Sequence, residues 1–290
     1  MITTGSCLCG NFTWQVTGEP HMTYNCHCKI CRKAHGAAFA TYWFVTSDKF
    51  KWINAPFTIT RITYPFSGLF ERTFCQTCGS VLPTTASPWM IDSDEPGIYV
   101  PAGCHDIGPR PKCHIFAAHK APWHTITGPL PRHAEYPPPN DFGIVPEREP
   151  PAPRYGGIRG SCLCGDVRFE VLQPFKLVHQ CHCRRCRKSR AAAHATNGFT
   201  SPDGVVFTKG ESKLKHYKLP GANHFTHTFC KQCGSGMPQL DTNRQIAVTP
   251  LGSLDDHPDR EPDNNIFVAN KADWYEITDN LPQYTETPTV

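Results

Sequence analysis

Cys26-His27-Cys28-Lys29-Ile30-Cys31-Arg32-Lys33 and, 155 residues later, Cys181-His182-Cys183-Arg184-Arg185-Cys186-Arg187-Lys188 are one motif written twice. The same offset carries Gly5-Ser6-Cys7-Leu8-Cys9-Gly10 onto Gly160-Ser161-Cys162-Leu163-Cys164-Gly165. It also carries Thr73-Phe74-Cys75 with Cys78-Gly79-Ser80 onto Thr228-Phe229-Cys230 with Cys233-Gly234-Ser235. Further on the offset falls to 151, pairing Ile115-Phe116 with Ile266-Phe267, Lys120 with Lys271 and Trp123 with Trp274. The chain is a tandem duplication of a unit too long for a solenoid repeat, so each copy is expected to be a domain. The boundaries expected are 1–136 and 157–290. Between them 137–156 reads as an extended, semi-stiff linker, with Pro137, Pro138, Pro139, Pro146, Pro150, Pro151 and Pro153 and no apolar period.

The runs between the motifs point to a mainly β fold with little helix. Phe12–Val16, Phe39–Val45, Phe57–Tyr64, Val167–Val171 and Gln245–Val248 are rich in aromatic and β-branched residues and several alternate. One short helix is expected after each triple-cysteine motif, near 29–35 and 184–191. Composition removes other classes. With 39% hydrophobic residues and a formal charge of +4, the 290 residues are neither disordered nor strongly drawn to nucleic acid. No apolar run is long enough to span a membrane, and the N-terminus lacks the features of a signal peptide. A cytoplasmic, or nuclear, protein is expected.

In a reducing compartment sixteen cysteines suggest metal rather than disulfides. Closed tetrahedral zinc is usually held by two close pairs of ligands brought together from distant segments. Cys7, Cys9, Cys75 and Cys78 make one such set, and Cys162, Cys164, Cys230 and Cys233 the other. The triplets Cys26, Cys28, Cys31 and Cys181, Cys183, Cys186 supply three ligands each. That count fits either an open site with a place for a small thiol or a structural site closed by histidine or water. His27 and His182 stand inside the triplets as ligands, supporting donors or surface groups. The basic residues after each triplet (Lys29, Arg32, Lys33; Arg184, Arg185, Arg187, Lys188, Arg190) read first as solvated charge, next as steering for an anion or contacts to phosphate. Trp123 and Trp274 read as core residues. Cys104 and Cys113, whose counterparts fall near Leu254 and Asn265, read as unpaired thiols. Fourteen thiolates around four zinc ions would turn the formal +4 into about −2, so the apparent basicity is a counting artefact.

The order Gly-Ser-Cys-x-Cys-Gly, Cys-His-Cys-x-x-Cys-Arg-Lys, Phe-Cys-x-x-Cys-Gly-Ser, then Ile-Phe…Lys-Ala-x-Trp resembles the glutathione-dependent formaldehyde-activating enzyme family, which includes centromere protein V. The resemblance covers about residues 3–136 and 157–285. It implies two tandem β-tent domains, each with a structural zinc on the outer cysteine pairs and a second, labile zinc on a catalytic triplet. It implies carbon–sulfur lyase chemistry, the reversible addition of glutathione to formaldehyde, with a small thiol and an aldehyde as partners; hydropathy and charge point away from a membrane and from nucleic acid as partners. The alternative is a non-catalytic zinc-stabilised module that binds protein or nucleic acid. Copy one keeps the family's glycine after the triplet as Gly36, whereas copy two has Ala191.

Overall fold

Alternation at Thr13-Trp14-Gln15-Val16-Thr17 sends Trp14 and Val16 inward and the polar residues outward, so this segment forms a half-buried strand. The computed structural model describes residues 2–56, 59–63, 71–85, 97–138 and 148–288. In the first repeat the strands are β1 (Ile2–Ser6), β2 (Thr13–Thr17), β3 (Met22–Cys26), β4 (Ala40–Thr46), β5 (Phe50–Asn54), β6 (Ile59–Thr63), β7 (Glu71–Cys75), β8 (Thr84–Thr85), β9 (Gly97–Pro101) and β10 (Cys113–Ile115). The second repeats the plan with β11 (Ile158–Ser161), β12 (Arg168–Val171), β13 (Leu177–Cys181), β14 (Ala195–Thr200), β15 (Val205–Lys209), β16 (Leu214–Lys218), β17 (Thr226–Cys230), β18 (Gln239–Asp241), β19 (Ile246–Pro250) and β20 (Asn264–Ile266). The helices are α1 (Lys29–His35) and α2 (Arg184–Arg190). These are two tandem, mainly β domains with little helix. The expected strand over Phe57–Tyr64 is seen as β6; residues 57, 58 and 64 lie outside the described residues.

Each repeat has a three-stranded sheet (β1-β2-β5; β11-β12-β15) and a five-stranded sheet (β10-β3-β4-β9-β8; β20-β13-β14-β19-β18). Each also has a hairpin, β6-β7 or β16-β17, whose second strand ends on Cys75 or Cys230. The short last strands β10 and β20 join parallel to β3 and β13.

The two helices end alike but not at equal cost. Gly36 closes α1 at φ 59°, in the left-handed region open to glycine. Ala191 closes α2 at φ 50° and carries a Cβ there, a strain of order 1 kcal/mol.

Buried side chains of both repeats merge into one cluster, from Trp14, Trp43 and Trp123 through Phe169, Met237 and Trp274. The two domains exchange helices' ends: α1 packs on the 3-10 turn Leu251–Ser253, and α2 on the turn Ala102–Cys104. Gly103 and Gly252 make this approach possible. A Cβ on Gly103 would stand 2.0 Å from the Ala192 amide nitrogen, and one on Gly252 2.3 Å from that of Ala37.

Here the reading of solvated charge after the triplets is corrected. Arg32, Lys33, Arg187, Lys188 and Arg190 are all buried. Lys33 Nζ donates to Ser161 O at 2.8 Å and Ser253 O at 3.2 Å and pairs with Asp255 at 2.9 Å. Burial pushes its ammonium down to about 8, with Asp255 opposing. Arg187 donates to His105 O at 3.0 Å and Asp106 Oδ1 at 2.6 Å, and Lys188 meets Ser6 Oγ. Lys33, Arg187 and Lys188 are internal ties between the repeats.

Of the Pro-rich stretch, 139–147 lie outside the described residues. Its last part is irregular and held by the second repeat. Glu170 accepts from the amides of Arg154, Tyr155 and Gly157, and Arg159 donates to the carbonyls of Pro150 and Pro151.

Candidate metal centres

β1 and the turn after it bring Cys7 and Cys9 to the end of β7, where Cys75 and Cys78 bracket a tight turn. The four Sγ atoms lie within 4.8 Å of one another, with Cys7–Cys9 at 3.5 Å and Cys9–Cys75 at 3.6 Å. Cys162, Cys164, Cys230 and Cys233 converge in the same way, at 3.4 Å for Cys162–Cys164 and 3.9 Å for Cys164–Cys230. Four sulfurs around one zinc at its usual bond length of about 2.3 Å stand about 3.8 Å apart, so the donor sets fit that ion. Amides and hydroxyls support the sulfurs: Phe12 N donates to Cys7 Sγ at 3.4 Å and Val167 N to Cys162 Sγ at 3.3 Å. Ser80 Oγ and Ser235 Oγ each lie 3.3 Å from Cys78 or Cys233 Sγ while accepting from the amide of Leu8 or Leu163. The two serines belong to the repeated Cys-Gly-Ser, so their signal was present in the sequence.

Each triplet spans a strand end and a helix start. Cys26 ends β3 and Cys28 is the N-cap of α1, its Sγ accepting from Cys31 N at 3.4 Å. Cys183 caps α2 identically, accepting from Cys186 N at 3.4 Å. The sulfurs of Cys26, Cys28 and Cys31, and those of Cys181, Cys183 and Cys186, again lie within 4.8 Å. Among the described residues no fourth His, Cys, Asp or Glu joins either triplet.

His27 and His182 are neither in these clusters nor on the surface. Both are fully buried and turned toward the last parallel strand, as alternation beside two inward cysteines requires. His27 Nε2 meets His114 Nδ1 at 2.8 Å, and His182 Nε2 meets Asn265 Oδ1 at 2.8 Å. Burial holds both imidazoles neutral, His27 down to about 2 and His182 to about 4. Cys104 and Cys113 lie outside every cluster, and their counterparts are Ser253 and Asn264, one residue from the positions expected. Trp123 and Trp274 are buried as expected.

Around the triplets the repeats diverge. In the first, Arg72 Nη2 lies 3.6 Å from Cys31 Sγ while Nη1 donates to Tyr42 OH at 2.6 Å, and His35 Nε2 meets that hydroxyl at 2.7 Å. In the second, Cys181, Cys183 and Cys186 line a cavity of about 530 Å³. The exchange of Arg72 for His227 and of His35 for Arg190 is a break in the repeat, a signal of divergence that sequence reading passed over.

The family model described as glutathione-dependent formaldehyde-activating enzyme matches residues 2–119 and 157–270. The chain belongs to that family. It is 31% identical over 130 residues to a Halomonas elongata protein provisionally named a glutathione-dependent formaldehyde-activating enzyme, covering 41% of this chain and 80% of that one. A solved Rhodobacter sphaeroides protein shares 23% identity over 36% of this chain and 98% of its own, with a TM-score of 0.28, too low to bear on the fold. Membership supports a small-molecule enzyme of the glutathione and formaldehyde type. Among the described residues no helix is long and apolar enough to cross a membrane.

Proposed function

We propose that the chain is a carbon–sulfur lyase-like enzyme of two zinc-bearing β-tent domains, joining a small thiol such as glutathione reversibly to an aldehyde. The observation that carries this reading is a three-sulfur cluster, without a fourth protein donor among the described residues, opening on a cavity. In it Cys7, Cys9, Cys75, Cys78 and Cys162, Cys164, Cys230, Cys233 hold structural zinc. Cys26, Cys28, Cys31 and Cys181, Cys183, Cys186 hold zinc with one position left for the thiol. Zinc bound there would supply thiolate character to a substrate sulfur at neutral pH. The capped helix starts fix Cys28 and Cys183, and the cavity walls orient the adduct. Neither His27 nor His182 reaches the sulfurs, so their part is to set the strand end that carries the triplet.

The binding-module alternative loses its main support. Five of the eight basic residues that would face nucleic acid are buried, three of them tied to the other repeat, and exposed Arg184 is paired with Asp106 at 3.0 Å. The test is turnover of a glutathione–formaldehyde adduct by Cys28→Ala, Cys183→Ala and the double variant, with the fold followed in parallel. Loss of at least about a hundredfold in the double variant, with melting little changed, is the expected result. Full activity of the double variant would remove the triplets from the chemistry.

A further inference from the structure

As far as Cys233 the 155-residue offset matches residues near one triplet with counterparts near the other, and among the described residues the two neighbourhoods differ in charge. The second-repeat cavity is lined by Arg185, Arg190, Arg244, His179, His224 and His227, and by no aspartate or glutamate. In the first repeat Ile30 stands for Arg185, His35 for Arg190 and Tyr24 for His179. Among the described residues the arginine that reaches that triplet is Arg72, and it is engaged by Cys31 and Tyr42.

Arg190 is the distinctive group. It is 8% exposed and lines the cavity, and its Nε has no hydrogen-bond partner. Its Nη1 meets His227 Nε2 at 3.0 Å, and His227 Nδ1 is taken by Cys78 O at 2.8 Å. That tautomer makes Nε2 an acceptor, so the bond neutralises none of the guanidinium charge. Asn197 replaces the Tyr42 phenol that engages the arginine in the first repeat. Zinc with three thiolates carries one net negative charge, fewer than the three guanidinium groups around it. A buried guanidinium that no carboxylate among the described residues pairs with, lining a cavity without carboxylates, is a place for an anion.

We propose that the two triplets have divided the ligand range: the second-repeat cavity selects small thiols and thiol adducts bearing carboxylates, through Arg190 with Arg185 and Arg244, and the first-repeat triplet does not select by charge. This rests on reading the triplets as open thiol sites.

The test uses the zinc-loaded full chain carrying Cys28→Ala, which isolates the second site. Calorimetry compares glutathione, its diethyl ester and S-methylglutathione. Glutathione is expected to bind about tenfold or more tighter than the ester, as loss of a buried charge partner commonly costs. The swap Arg185→Ile with Arg190→His, the residues of the first repeat, should abolish that preference. Arg190 is buried, so the exposed Arg185→Ile and Arg244→Gln are made singly as well. Each should weaken glutathione about threefold without shifting the melting temperature, a rim-charge effect. S-methylglutathione has carboxylates but no thiol. Its binding, weakened by Arg185→Ile, would uphold the anion site even if adduct turnover were absent. Equal affinity for acid and ester, with thiol binding intact, would overturn this inference and leave the lyase reading standing.

Discussion

His105 shows how a single side chain ties acid stability to the core. It is fully buried, and its Nε2 accepts from Trp14 Nε1 at 2.8 Å. Burial holds its imidazole down to about 3, so the folded chain keeps it neutral where an unfolded chain would protonate it. The stability it supports is therefore whole above pH 6.5 and drains away as pH falls toward 3. Because acid would also release any zinc held by the cysteines, the useful quantity is a difference. Relative to His105→Gln, whose amide can still accept from Trp14, the wild type should lose about 1.4 kcal/mol per pH unit across that window in chemical denaturation. Parallel curves for the two proteins would show that His105 is not the neutral acceptor described. None of this was readable in advance, because His105 is set apart from the motifs and its partner lies 91 residues away.

At the scale of elements the sequence was most legible. The β-branched and aromatic runs around Trp14 and Trp43 became β2 and β4, and the helices after the triplets lie where expected. Local periodicity and caps decide those, and both are written in neighbouring residues. The fate of the helices' basic residues was not legible. Lys33 and Arg187 carry no local mark that distinguishes a solvated cation from one buried against another domain. The distinction is set by the turns Ala102–Cys104 and Leu251–Ser253, which reach across from the other repeat. Those turns also give the sharpest steric prediction. Gly103→Ala and Gly252→Ala should each destabilise the chain by about 2–3 kcal/mol or more, since the added Cβ meets backbone that cannot swing aside. Urea denaturation of the two variants measures it. Wild-type stability in either would mean the helix ends do not press on the turns.

For the whole molecule, the duplication has produced two domains that share a buried interior and differ at their triplets. The outer cysteine sets are repeated down to the serine and the amide donors, as expected of a scaffold in which a metal held there would contribute folding energy. The triplets keep their sulfurs and capping while the groups around them change, from phenols and one engaged arginine to an arginine-lined cavity. The four cysteine clusters were legible in spacing alone; the divergence lay in positions where the repeats fail to match. We propose that eight cysteines form closed zinc sites and six form open ones. The most direct measurement is zinc per chain by elemental analysis during stepwise chelation, with the fold followed by circular dichroism. Four zinc ions are expected on the loaded protein, two leaving early with the fold intact and two leaving only as it unfolds. Cys28→Ala with Cys183→Ala should remove the early pair. Two zinc ions on the loaded wild type, or four lost in a single unfolding step, would contradict it.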